Sequence, residues 1–189
     1  VPFDARYSDS PEMHKLKADY QSQLQDLGWD GVGLKPRLFA QAKDEADLTG
    51  KFVGSQKCGA CHTKAFEVFK NTTHSTATTT LVKLDPPRQF DAECVSCHVT
   101  GWHAQEYYPY LSGYLGVDKT PHLVGNGCEN CHGPGAAHVA AESSMLTSNN
   151  PLRSNNAQRD MLRAQMRIPL GTKENNSCLK CHDVDNSPE

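Results

Sequence analysis

Cys58-Gly59-Ala60-Cys61-His62 and Cys128-Glu129-Asn130-Cys131-His132 are two copies of one pattern, which Cys94-Val95-Ser96-Cys97-His98 and Cys178-Leu179-Lys180-Cys181-His182 repeat twice more. Together they use all 8 cysteines of the 189-residue chain. Two zinc ribbons would use the C-x-x-C pairs equally well. Eight cysteines also suffice for a disulfide framework in an exported protein. Neither reading explains a histidine after every second cysteine. With 9 His in 189 positions, chance gives four such placements with a probability of ~5 × 10⁻⁶, so the haem-attachment reading of C-x-x-C-H prevails. Iron–sulfur ligation would bunch the cysteines, whereas these pairs start 36, 34 and 50 residues apart. The pattern therefore implies four haems c. Cys58, Cys61, Cys94, Cys97, Cys128, Cys131, Cys178 and Cys181 form the thioethers, and His62, His98, His132 and His182 are the proximal iron ligands.

The rest of the composition agrees with a chain organised by cofactor. Only 37% of residues are hydrophobic and 22% are charged, a thin apolar supply for a domain of this length. Four apolar discs, one for about 47 residues of chain, make up that deficit. The expected fold is mostly α with long irregular loops and little or no β, its core formed by four covalently attached haems. The formal charge is −3, and four ferric haems with their propionates take it to about −7. No Lys/Arg stripe forms, which argues against nucleic acid as a partner. No apolar run reaches the ~18 residues of a membrane span.

Two parts are expected along the chain: an N-terminal helix and connector over 1–50, and a tetrahaem domain over 51–189. Met13, Leu16, Tyr20, Leu24 and Leu27 follow helical spacing. Ser10 suits the cap, Pro11 the first turn and Gly28 the stop. A short helix is predicted after the first motif with Ala65, Phe66 and Phe69 inward. Residues 101–127 read as loop. Further helices are predicted over 136–145 and about 155–166, the latter with Met161, Leu162 and Met166 inward.

Five histidines remain for four distal positions: His14, His74, His103, His122 and His138. An isolated histidine is ordinarily a surface or core residue, but haem density brings most of this chain near an iron. Met13, Met145, Met161 and Met166 are the alternative ligands, and packing explains them better. Bis-His ligation, with its low reduction potentials, is the expectation. His122 and His103 are favoured as a further ligand pair. His14 is either a spare or a ligand lent to a second copy.

Phe52-Val53-Gly54-Ser55 before the first motif, Val99-Thr100-Gly101 after the second, and Gly125-Asn126-Gly127 with Gly133-Pro134-Gly135 around the third carry a resemblance. Over residues 52–182 the chain resembles the tetrahaem cytochrome c family typified by the nitrifier electron acceptor of hydroxylamine oxidoreductase. The resemblance implies a helical, loop-rich fold with haems in stacked and perpendicular pairs. It implies His74 as distal ligand to haem 4 and His138 as distal ligand to haem 1. That family carries a long tail after its last motif which supplies another distal His, whereas only seven residues follow His182 here. Haem 3 must then draw its ligand from elsewhere, His122 or His103. The typical member leaves haem 2 open, and the spare histidines here are able to close it. Residues 1–40 also resemble the segment joining a phosphoesterase-like domain to such modules, which implies that Val1 is not the natural start.

Three functions fit. The leading one is electron transfer through the haems between redox partner proteins outside the cytoplasm, in a periplasmic or extracellular location, since haem attachment follows export. The others are an extracellular filament with an intersubunit His ligand, and an enzyme reducing nitric oxide or peroxide at a five-coordinate haem.

Overall fold

A computed structural model describes residue 8 and residues 10–143, 156–168, 170–171 and 176–183. Helix α1 runs Pro11–Gly31. As its sequence predicts, Ser10 caps it by accepting the Met13 N–H at 3.3 Å, and Gly28, at φ 61°, breaks its regular geometry. Of its apolar stripe, however, only Leu24 is even half-buried. Met13, Leu16, Tyr20 and Leu27 are exposed, while Gln21 is buried and donates to the Asp91 carboxylate at 3.0 Å. A polar anchor and the Trp29 ring, edge-on to Trp102 with centroids 5.0 Å apart, fix the helix instead.

Among the described residues seven shorter helices follow: α2 (Ser55–Gly59), α3 (Thr63–Lys70), α4 (Ala77–Lys83), α5 (Ala92–His98), α6 (Cys128–His132), α7 (Ala136–Ser143) and α8 (Asn156–Gln165). In α3, Phe66 and Phe69 are half-buried and stack at 6.2 Å, but Ala65 is exposed. In α8 Leu162 is buried but Met161 is exposed, and Met166, just past the end of the helix, is half-buried. Met161 and Leu162 are neighbours, about 100° apart around the helix, so they do not share one narrow inner face. Residues 144–155, with Met145, lie outside the described residues. The segment 101–127 is irregular apart from a 3-10 turn at Pro121–Leu123 and a two-stranded hairpin. In that hairpin β1 (Trp102–His103) pairs antiparallel with β2 (Tyr108–Pro109).

Fold class is as expected: helical and loop-rich, with very little strand. Beside the haem sites the chain also builds a core of its own from Phe52, Leu81, Val95, Val99, Trp102, Tyr114 and Leu123. Leu81 and Val95 come from α4 and α5, Trp102 from β1 and the others from loops and turns, and buried hydroxyls tie the loops together. Thr78 Oγ1 donates to the His98 carbonyl and accepts the Gly125 N–H, each at 2.7 Å. Thr100 Oγ1 donates to the Gly125 carbonyl at 3.0 Å and accepts the Gly127 N–H at 3.1 Å. The Trp102 indole donates to the Tyr114 carbonyl at 2.8 Å. Backbones touch where glycines meet. A Cβ on Gly113 would lie 1.9 Å from the Gly101 oxygen. Gly113→Ala is expected to cost about 3 kcal/mol by forcing a backbone shift, read as a lower thermal midpoint; an unchanged midpoint would contradict the close approach. Among the described residues, no helix is long and apolar enough to cross a membrane.

Candidate haem sites

Each C-x-x-C-H segment folds as a single helical or 3-10 turn. His62 N–H and His182 N–H each donate to the carbonyl of the first cysteine four residues earlier, at 2.9 Å. The second motif closes α5, whose N-cap Asp91 accepts the Glu93 N–H, and the third is α6 itself. One turn is the geometry that brings two cysteines and the following histidine to neighbouring positions. No two of the cysteines are joined as a disulfide in this structure. Among the described residues, no three His, Cys, Asp or Glu side chains converge as a metal cage. A histidine closing each cysteine pair is the donor set that suits four separate attachments.

The motifs are grouped in space as they are not in sequence. The Cys58 thiol meets the Cys128 thiol, and Cys97 meets Cys181; hydrogen bonding within each pair lowers Cys128 and Cys97 and raises their partners. Motif 1 therefore shares an edge with motif 3, and motif 2 with motif 4. These shifts belong to the thiols, and a thioether has no proton to lose.

Two histidine pairs face each other across similar gaps. The rings of His62 and His138 have centroids 6.3 Å apart and an interplanar angle of 22°. Those of His74 and His182 are 6.0 Å apart at 63°. An imidazole nitrogen bonds a first-row metal at about 2 Å. Two such bonds plus the inner half of each ring fill roughly the same span. His138 Nδ1 is buried without a hydrogen-bond partner, and burial pushes that imidazole below the usual histidine range. At the other two motifs the proximal ring is steered by a carbonyl. His98 Nδ1 lies 2.9 Å from the Ala77 oxygen and His132 Nδ1 lies 2.5 Å from the Met166 oxygen. A ring that donates through Nδ1 keeps Nε2 for a metal. On these observations the residues present fit haem c.

His103 and His122 are not placed opposite a proximal ring. His103, in β1, stacks on Tyr108 at 5.1 Å. Its Nδ1 accepts the Glu106 N–H at 3.1 Å, and its Nε2 lies 3.6 Å from the Glu106 carboxylate. It also lines a cavity of about 170 Å³ with Ser96, Glu129, Asn130 and Cys181, so residues of the second, third and fourth motifs border it. His122 is exposed in its 3-10 turn. His14 Nε2 lies 3.9 Å from the Asp85 carboxylate.

Sequence reasoning missed Glu129, the first variable residue of motif 3. It is 2% exposed and accepts four short contacts from three backbone N–H groups: Val53 (3.0 and 3.1 Å), Gly54 (2.7 Å) and Gly135 (2.7 Å). Burial is the larger effect and holds its carboxyl above the usual carboxylate range, while those amides offset part of the rise. Every partner is a donor, so the ionised form is the one they complement. Gly54 is at φ 82°, and a Cβ there would lie 2.3 Å from the His122 oxygen. A charged residue flanked by glycine-rich turns was the available signal. Asn130 was missed too; its Nδ2 donates to the Val99 carbonyl at 2.7 Å and joins motif 3 to the end of motif 2.

Comparison with known proteins supports the resemblance. Residues 57–133 match the family model described as cytochrome c554 and c-prime. Cytochrome c-554 of Nitrosomonas europaea is 36% identical over 97 residues, covering 44% of this chain and 39% of that protein. The match thus spans about two fifths of the curated relative. The structure of reduced cytochrome c554 from Nitrosomonas europaea matches with 29% identity and a TM-score of 0.42, over 70% of this chain and 65% of that one.

Proposed function

We propose that this chain, a tetrahaem c-type cytochrome similar to cytochrome c554 through its first three haem motifs, passes electrons along its four haems between redox partner proteins outside the cytoplasm. The carrying observation is the pair of facing histidines, His62 with His138 and His74 with His182, at 6.3 and 6.0 Å. In this reading each pair holds one iron from both sides, which leaves no open position for a substrate there. A haem c bound by two imidazoles supplies a one-electron couple of low potential.

The chain's own part is to bind, orient and hold. His138 reaches haem 1 from α7, and His74 reaches haem 4 from the turn before α4. Carbonyls of Ala77 and Met166 steer His98 and His132. His103 and His122 serve haems 2 and 3; the cavity that His103 lines is bordered by Ser96 of the second motif and by Glu129 and Asn130 of the third, within reach of both haems. Residues 51–189 carry the haems, with 1–50 as a helix and connector laid against them. Thioether attachment after export places the protein in the periplasm or outside the cell.

An electron paramagnetic resonance spectrum of the oxidised protein tests this. Four low-spin ferric haems and no carbon monoxide binding after reduction are expected. A high-spin signal from the native protein would favour an enzyme with an open iron.

A further inference from the structure

The Glu129 carboxylate sits where three helix beginnings meet. Glu129 is in the first turn of α6. Gly54, whose N–H it accepts at 2.7 Å, is the N-cap of α2. Gly135, whose N–H it accepts at 2.7 Å, precedes α7 and receives the Val139 N–H on its carbonyl at 2.9 Å. Helix N-termini favour a negative charge because their first N–H groups are unpaired. The three helices have one further thing in common. α2 carries Cys58 of motif 1, α6 carries Cys128, Cys131 and His132 of motif 3, and α7 carries His138, the partner of His62. One side chain is thereby bonded at the start of the helix that carries Cys58 and at the start of the helix that carries His138, and it belongs to the element that would hold haem 3.

We propose that Glu129 is a positioning residue of the electron path, clamping α2, α6 and α7 together and placing a fixed buried negative charge beside haems 1 and 3 that lowers their reduction potentials. The inference rests on the electron-transfer reading. A ferric haem with two neutral imidazoles carries one more positive charge than the ferrous form, so a nearby anion stabilises the oxidised state. Because the carboxylate is 2% exposed, salt screens it poorly. A surface carboxylate at the same distance would act weakly and only at low ionic strength. The purely structural alternative is that the amides need an acceptor and the charge is incidental.

Glu129→Gln separates the two, since it keeps an acceptor oxygen and loses the charge. In the holoprotein, a potentiometric titration followed in the visible spectrum is expected to show one or two haems shifted upward. Through an effective dielectric of about 20 the ferrous-to-ferric ratio at fixed potential should rise about tenfold, which is about 59 mV for a one-electron couple. The shift should persist at high salt, with all four haems attached and low-spin. Glu129→Asp keeps the charge on a shorter arm, so its midpoints should stay near those of the native protein while its thermal midpoint falls. Midpoints of Glu129→Gln that superimpose on the native ones would overturn the proposal. So would a failure of both variants to load four haems, which would make the residue a folding determinant only. If the native protein itself does not titrate reversibly, the electron-transfer reading is what fails.

Discussion

Replacing His138 with Ala is expected to leave a haem-loaded protein in which one iron is high-spin and binds carbon monoxide after reduction. His138 is on α7, and Ala is the best helix former, so the helix should persist and the change report ligation alone. The ring faces His62 at 6.3 Å, so the affected haem is the one attached at Cys58 and Cys61. His74→Ala should do the same at the fourth haem. There the turn is held by a backbone contact that truncation leaves intact, the Asn126 N–H donating to the His74 carbonyl at 2.9 Å. The double variant should show two high-spin irons, because the pairs lie on different motifs. Low-spin spectra unchanged in either single variant would remove that histidine from the ligand set.

What the sequence made legible was local. The four C-x-x-C-H turns follow from spacing, as do the Ser10 cap, the Pro11 first turn and the Gly28 break of α1. What it hid was long-range or non-periodic. Nothing in the spacings of 36, 34 and 50 residues tells that motif 1 meets motif 3 and motif 2 meets motif 4. The chain's own apolar core was hidden because Phe52, Tyr114 and Leu123 come from loops and turns, where no helical or strand period marks an inner face. Glu129 stood in a variable position of a known motif, and its three partners are backbone amides 6, 75 and 76 residues away. α1 is the instructive case. Its apolar period correctly indicated a helix, yet the face that packs is marked by a glutamine, because a hydrogen bond to Asp91 fixes it rather than apolar burial.

Deleting residues 1–50 is expected to lower thermal stability sharply while leaving the spin state of every haem unchanged. The segment is bonded into the haem-bearing part at several places. Arg37 N–H donates to the Pro109 carbonyl at 3.0 Å, and its own carbonyl accepts the Leu111 N–H at 2.9 Å. The Arg37 guanidinium lies 4.1 Å from the centre of the Tyr108 ring. Phe39 meets Phe52 and Tyr110 with ring centroids 6.0 and 5.0 Å apart, and Trp29 meets Trp102 at 5.0 Å. Truncating a single packed aromatic costs about 3–5 kcal/mol. Losing two partly buried ones with their backbone bonds should cost at least the lower figure and move the midpoint by about 10 °C. A shortened protein that melts with the full chain would show that these contacts carry no energy. The haem spectrum answers a second question. His14 leaves with the segment, and it lies 3.9 Å from the Asp85 carboxylate, a residue of the same chain. If that contact is its role, four low-spin haems remain after the deletion. A new high-spin iron would instead make His14 a ligand and bring α1 into the redox unit.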